Sequence, residues 1–280
     1  MRPTVELPGM RAVVLGSLAI EVNGVPHSLS AFKPRQALAL LLLNANRTVS
    51  VSGFVQELWD DNPPSSALTT LQTYILQLRK FLVRTLNINQ STASKHVLQT
   101  VPGGYVFRIR PEQLDLAVFK QLAAQGHQSL ATGDFAAAAQ KLRAALDVWQ
   151  GQALVDVPAG PAIEPQVRGL EEARLVVLEQ CIDADLRCGR HREVLSELAA
   201  LSIEHPYNET LQGQFMLSLH RSGRRSDALE TYQRIRSTLI EDVGLEPSSW
   251  LQQVHQAVLT DADPDALPTV HERRLVGSRG

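Results

Sequence analysis

Three stretches of this chain start from a glycine and then repeat one arrangement of side chains. Gly133-Asp134-Phe135, Gly189-Arg190-His191 and Gly223-Arg224-Arg225 align with one another. Five residues after each glycine stands Ala138, Val194 or Ala228, and nine residues after stands Leu142, Leu198 or Tyr232. The glycine lets the chain turn between two antiparallel helices, and the small residue lets those helices cross closely. One such pair cannot bury its apolar face alone, so pairs must stack, and the chain from Leu114 onward is accordingly helical in its apolar pattern.

The second and third glycines are 34 residues apart, the period of tetratricopeptide repeats. Pro206 follows Gly189 by 17 residues, where such a repeat places its closing proline. The first two glycines are 56 apart, so an insertion, Gly151–Pro165, is expected between them. A generic helical bundle with glycine turns is the alternative reading.

Charge divides the chain at a different place. The 280 residues carry a net charge of −2. Residues 1–110 hold 11 Lys/Arg against 5 Asp/Glu, a net of +6, and the remainder holds 16 against 24, a net of −8. A basic segment joined to an acidic one points to a polyanion partner for the first and a different role for the second.

The basic segment mixes short strands and helices. Ala12–Leu15, Leu18–Val22 and Val25–Leu29 read as strands joined by turns at Gly16-Ser17 and Asn23-Gly24. Pro34 opens a helix running to about Asn44, apolar around most of its circumference and therefore buried. Ser50 or Ser52 caps a second helix ending at Trp59, and Asp60–Pro64 breaks it. Ser65 or Ser66 caps a third, roughly Ser66–Thr85, with Leu68, Leu71, Ile75, Leu78 and Leu82 as its buried stripe. Its other side shows Thr69, Thr70, Gln72, Thr73, Gln77, Lys80 and Arg84. After a polar loop, Asn87–Ser94, the runs Val97–Val101 and Tyr105–Ile109 flank Pro102-Gly103-Gly104 as a hairpin.

Strands, three helices and a basic-flanked hairpin follow one another in the order of a winged helix-turn-helix. Short hydroxyl and amide side chains suit base edges in the major groove, and Lys and Arg suit phosphates. A solvated face usually mixes Glu with Lys, yet no acid occurs from Ser65 to Arg110. The fold class expected is mainly α: an N-terminal α+β winged helix-turn-helix followed by an all-α tetratricopeptide-like helical-repeat domain. The boundaries expected are 1–111 and 112–260, with 261–280 as a mobile tail.

Other function classes find little support. The longest apolar run, Ala37–Leu43, is too short to cross a bilayer. The apolar stretch Ala12–Ile20 leads into Glu21 and Asn23 without a cleavage pattern and reads as a strand rather than a signal peptide. Cys181 and Cys188, seven apart, suit packed thiols in a reducing cytosol. The eight histidines lack metal-ligand spacing. No phosphate loop, dinucleotide fingerprint or nucleophile elbow occurs. No catalytic residue, cofactor or metal is therefore expected, and no membrane partner.

Several motifs together resemble a known family. The first 110 positions resemble the OmpR/PhoB-type winged helix, and residues 10–260 resemble the SARP family of transcriptional activators in its short form. The motifs are Lys33-Pro34-Arg35-Gln36, LLLNAN at Leu41–Asn46, Glu57-Leu58-Trp59, Thr70–Leu82 and TVPGGY at Thr100–Tyr105. The later helices resemble the bacterial transcriptional activation domain, through ALDVWQG at Ala145–Gly151, Asp185–Arg192, His205-Pro206, Leu219–Tyr232 and Gly244–Pro247.

The resemblance implies roles position by position. The family's recognition-helix contacts fall at Thr69, Thr70, Tyr74, Gln77 and Arg79, and its wing contacts at Thr100, Pro102 and Tyr105. Trp59 is the tryptophan ending the second helix. The exposed face adds Thr73, Lys80 and Arg84. Leu76, Gln77, Pro102 and Val51 stand where several relatives carry arginine, which reduces the grip on phosphates. The function implied is a sequence-specific activator that binds promoter direct repeats as a homodimer on double-stranded DNA. It would recruit RNA polymerase holoenzyme through sigma factor and core subunits. Its targets would be a secondary-metabolite (antibiotic) gene cluster, and its place the cytoplasm, at the nucleoid. A helical-repeat adaptor that binds peptides without DNA activity is the alternative.

Overall fold

A computed structural model describes residues 9–261. The chain forms two compact units that interleave along the sequence. Among the described residues, one holds those up to Leu122 together with Ala145–Arg174, and the other holds Ala123–Ala144 together with those from Leu175 to Asp261. Of the tail expected at 261–280, all but Asp261 lies outside the described residues.

In the first unit, β1 (Met10–Val13), β2 (Ala19–Val22) and β3 (Val25–His27) make an antiparallel sheet in that order. Val22 pairs with Val25, which leaves Asn23-Gly24 as a two-residue hairpin turn with positive φ at both positions. Three helices follow: α1 (Phe32–Leu43), α2 (Val51–Trp59) and α3 (Ala67–Leu86). Ala37 through Leu42 of α1 are all buried, as its all-round apolar character requires. Ser50 caps α2 by accepting a hydrogen bond from the Gly53 N–H at 3.0 Å.

Two expectations for α3 are corrected. Ser66 occupies the N-cap position but makes no side-chain cap; its hydroxyl lies 3.4 Å from that of Thr70. Leu68 is 60% exposed rather than buried, while Ala67 and Phe81 join Leu71, Ile75, Leu78 and Leu82 inside. Ala67 takes the core-facing position of the first turn, which leaves Leu68 at the margin of the stripe, and Pro63 to Ser66 before it are exposed. The polar loop after α3 contains a one-turn helix, α4 (Gln90–Thr92), and a wide turn, Ala93–Val97.

A second sheet carries the hairpin. Its strands β4 (Val49–Ser50), β5 (Leu98–Val101) and β6 (Gly104–Phe107) lie in the order β4-β6-β5, all antiparallel. Val101 pairs with Gly104, so Pro102-Gly103 forms the turn. Gly104 has a packing reason to be glycine: a Cβ there would stand 2.0 Å from the Val49 carbonyl oxygen.

The segment Gly151–Pro165, expected as an insertion between repeats, straps itself across the first unit. It lies between α6 (Phe135–Leu146) and α7 (Glu164–Arg187), which follow α5 (Asp115–Ala131). The Gln150 N–H donates to the Leu15 carbonyl at 2.8 Å, and the Leu154 N–H to that of Val14 at 3.0 Å. Asp156 accepts from the Leu18 N–H at 2.7 Å and pairs with Arg35 at 3.4 Å. Glu57, only 2% exposed, accepts from the N–H groups of Gly160 (2.7 Å), Ala162 (2.8 Å) and Ile163 (3.0 Å) and from the Gln36 amide (2.8 Å). At the start of α5, buried Asp115 accepts from the Val14 and Leu15 N–H groups, each at 2.8 Å. Burial pushes its carboxyl above the usual carboxylate range, and these backbone bonds oppose the push.

The second unit contains α8 (Leu195–Glu204), α9 (Glu209–Arg221), α10 (Arg225–Thr238) and α11 (Ser249–Thr260). The repeated pattern has the structural meaning expected of it. Gly133, Gly189 and Gly223 all take positive φ, between 74° and 80°, at turns between helices. Ala138, Val194 and Ala228 are buried, as are Leu142, Leu198 and Tyr232. One apolar cluster gathers Met216, Leu219, Ala228, Tyr232, Ile235, Trp250, Leu251 and Val254; another gathers Ile182, Leu186, Val194, Leu198 and Leu211. Arg143 reaches Glu197 through two bonds, at 2.8 and 3.1 Å, and Asp185 at 3.3 Å, so its guanidinium is held above its ordinary pKa. The two cysteines are free thiols, Cys181 buried and Cys188 half-buried.

Candidate nucleic-acid interface

Helix α3 separates its two faces by the 3.6-residue period. Leu71, Ile75, Leu78 and Leu82 point into the core. Thr69, Thr73, Gln77, Lys80 and Arg84, at steps of 4, 4, 3 and 4, are all exposed on the opposite side. Thr70 is half-buried at the edge of this face. The Thr73 hydroxyl donates to the Thr69 carbonyl at 3.0 Å, which fixes its proton and leaves its oxygen free to accept. With no acid in the helix, the face offers hydroxyl, amide and cationic groups, with exposed Leu76 at its border.

The remaining expected contacts divide between support and surface. The half-buried Tyr74 ring stacks on Trp59 of α2, with centroids 6.2 Å apart and planes 20° apart. Arg79 donates from Nε and Nη2 to the Leu98 carbonyl, at 3.1 and 2.9 Å, and from Nη2 to Thr100 Oγ1 at 2.8 Å. Burial lowers its guanidinium pKa from the ordinary value. Its fork is thus engaged in tying α3 to β5, while Thr100 itself stays exposed on the hairpin. Tyr105 is 8% exposed, and its ring meets Phe54 edge-on at 5.8 Å, beneath the hairpin rather than on its surface.

Two basic residues escaped the motif-based reading. Arg47, between α1 and β4, and Lys95, in the turn before β5, are both exposed. The excess of Lys and Arg over acids in residues 1–110 was the signal that pointed toward them. Arg108, half-buried just after β6, is engaged by neighbours, donating to the Asn46 carbonyl at 3.0 Å and to Gln99 at 3.2 Å. Among the described residues, no group of three or more His, Cys, Asp or Glu is placed to hold a metal ion, and no helix is long and apolar enough to cross a membrane.

Comparison with known proteins agrees with this geometry along nearly the whole chain. Residues 31–107 match the family described as transcriptional regulatory protein, C terminal, and residues 114–259 match the bacterial transcriptional activator domain. The regulatory protein DnrI of Streptomyces peucetius is 46% identical over 255 residues, which cover 91% of this chain and 93% of DnrI. This chain belongs to the SARP family of transcriptional regulators. As a SARP-family protein it is a DNA-binding transcriptional regulator rather than an enzyme. The regulatory protein AfsR of Streptomyces coelicolor is 38% identical over 260 residues, but this SARP chain spans only 25% of it. A solved structure of Mycobacterium tuberculosis EmbR, in complex with a low-affinity phosphopeptide, superposes with a TM-score of 0.84 at 31% identity. The superposition covers 96% of this chain and 69% of the EmbR chain.

Proposed function

We propose that this SARP-family regulator activates transcription by seating α3 in the major groove of promoter direct repeats. Two copies lie head-to-tail on the DNA, and the helical repeats recruit RNA polymerase holoenzyme through its sigma factor and core subunits. The genes controlled are those of a secondary-metabolite cluster. The reading is carried by the acid-free face of α3, where Thr69, Thr73, Gln77, Lys80 and Arg84 are exposed together. Thr70 and Thr100 flank that face as further contacts, while Tyr74, Arg79 and Tyr105 hold α3 and the hairpin in place behind it. The match of residues 114–259 to an activator domain supports activation as the sign of regulation. The functional division falls near residue 111, between the two matched segments.

Binding-site selection with the purified chain, followed by run-off transcription with polymerase holoenzyme, tests this reading. Gln77→Ala relaxes the preference at one base pair, a loss of about 1–3 kcal/mol of discrimination. Lys80→Ala weakens every sequence alike and lowers the salt slope of binding by about 1. Retention of the full base preference by Gln77→Ala would remove Gln77 from the reading set. A chain that shifts no DNA at low or moderate salt would instead be a peptide-binding adaptor.

A further inference from the structure

Two leucines of α3 are exposed: Leu68 in its first turn, at the margin of the buried stripe, and Leu76 beside the polar face. Leu76 is 45% exposed. Thr73 and Gln72 lie three and four residues before it, Thr69 seven before, and Lys80 four after. At about 100° per residue, Leu76 borders this face next to Thr69, on the side of Gln72. A single exposed leucine elsewhere on a surface needs no explanation. Here it stands among the side chains that face the groove.

We propose that Leu76 reads the 5-methyl group of a thymine in the major groove. The inference rests on the reading of α3 as the DNA-contacting helix. In that groove, base pairs present donors and acceptors, and the thymine methyl is the one apolar group among them. Leucine against that methyl removes two apolar surfaces from water. Leucine against an amino, carbonyl or ring-nitrogen edge strips water from a polar group and returns no hydrogen bond. The same side chain therefore favours thymine and disfavours the other bases, which is how a non-polar contact becomes selective. Thr69 and Thr73 supply hydroxyls on the two turns before it, and Lys80 supplies a charge on the turn after.

Deoxyuridine pairs like thymidine but lacks the methyl, so it isolates this contact. The full chain is first used to select a site from randomised duplexes. Each thymine of the selected site is then replaced singly by deoxyuridine, and affinity is measured for the wild type, Leu76→Ala and Leu76→Met. At one thymine the replacement weakens the wild type about fourfold, the factor for one methyl-sized group taken from water. Leu76→Met keeps that sensitivity, whereas Leu76→Ala loses it while binding both duplexes equally. The Ala variant assigns the methyl to Leu76 rather than to the methyl groups of Thr69 or Thr73. Wild-type binding that is indifferent to every replacement overturns the proposal, as does a Leu76→Ala variant with undiminished sensitivity. A wild type that selects no site overturns the DNA reading of α3 itself, an outcome recognised by the absence of any retarded complex.

Discussion

Replacing Glu57 by Gln removes a fastening that reaches about a hundred residues along the chain. Four donors converge on this buried carboxylate. Gly160 N–H and the Gln36 amide reach Oε1, and the N–H groups of Ala162 and Ile163 reach Oε2. The last two amides immediately precede α7, so the carboxylate also sits at a helix N-terminus, where negative charge is favoured. Glutamine offers one acceptor oxygen and one NH2 group. In one orientation the NH2 opposes the Ala162 and Ile163 amides, and in the other it opposes Gly160 and Gln36. Flipping Gln36 does not rescue the second orientation cheaply, because its Nε2 also donates to the Glu57 carbonyl at 2.9 Å. Two hydrogen bonds to a charged group are lost, each contributing about 1.5–3 kcal/mol, and removing a buried charge returns part of that. The expected net loss is about 3 kcal/mol, or roughly a hundredfold in local opening. Hydrogen exchange at Gly160, Ala162 and Ile163 reads that opening directly, and the urea midpoint reads the global share. Glu164→Gln is the control: its exposed pair with Arg168, at 2.6 Å, contributes under about 1 kcal/mol. Unchanged exchange at all three amides in Glu57→Gln would mean that Asp156 and Gln150 hold the strap without help from Glu57.

Two further outcomes follow from the same unit. Gly104→Ala places a methyl 2.0 Å from the Val49 carbonyl oxygen, backbone against backbone, and destabilises the chain by more than about 2 kcal/mol in a thermal melt; a melt within about 0.5 kcal/mol of wild type contradicts the close approach of β4 and β6. Asp115 titrates in the opposite sense to a salt-bridged carboxylate. Its pKa is raised on folding, so the folded chain binds the proton more tightly than the unfolded chain does. This group's contribution is greatest at low pH and falls as pH rises from the ordinary carboxylate value through the raised one. The stability of wild type relative to Asp115→Asn should therefore decline as pH rises above the ordinary carboxylate value of about 4, read from urea midpoints; a difference that is flat or grows with pH refutes it.

The parts of this fold that were legible in the sequence are those that depend on near neighbours. Gly133, Gly189 and Gly223 announce their turns because positive φ selects glycine, and the buried positions five and nine residues later follow from helix geometry. Leu68 misleads because it continues the run of three- and four-residue steps, yet Ala67 beside it fills the core-facing position of that turn. The strap was invisible for a different reason. Glu57 and its partners Gly160, Ala162 and Ile163 are more than 100 residues apart, and backbone N–H donors leave no mark on residue identity. Asp115 with Val14 and Leu15 is the same case. A carboxylate that accepts three amides is spelled like one that faces water.

The same limit separates touching DNA from presenting a face to it. Spacing assigns Arg79 and Tyr74 to α3, but not the destination of their far ends. Arg79 spends its fork on Leu98 and Thr100 of β5, and Tyr74 lies against Trp59 of α2. On the proposed reading of α3, base readout tolerates errors of only about half an ångström in the reading side chains, so a helix that carries them must be fixed from behind. Arg79 fixes α3 to the hairpin, and Tyr74 fixes it to α2. Two residues before Trp59, α2 buries Glu57 and so anchors the strap. The motif Glu57-Leu58-Trp59 thus works in two directions, outward to α3 and inward to the strap. That double duty gives Glu57 and Trp59 structural work in which neither needs to meet a base.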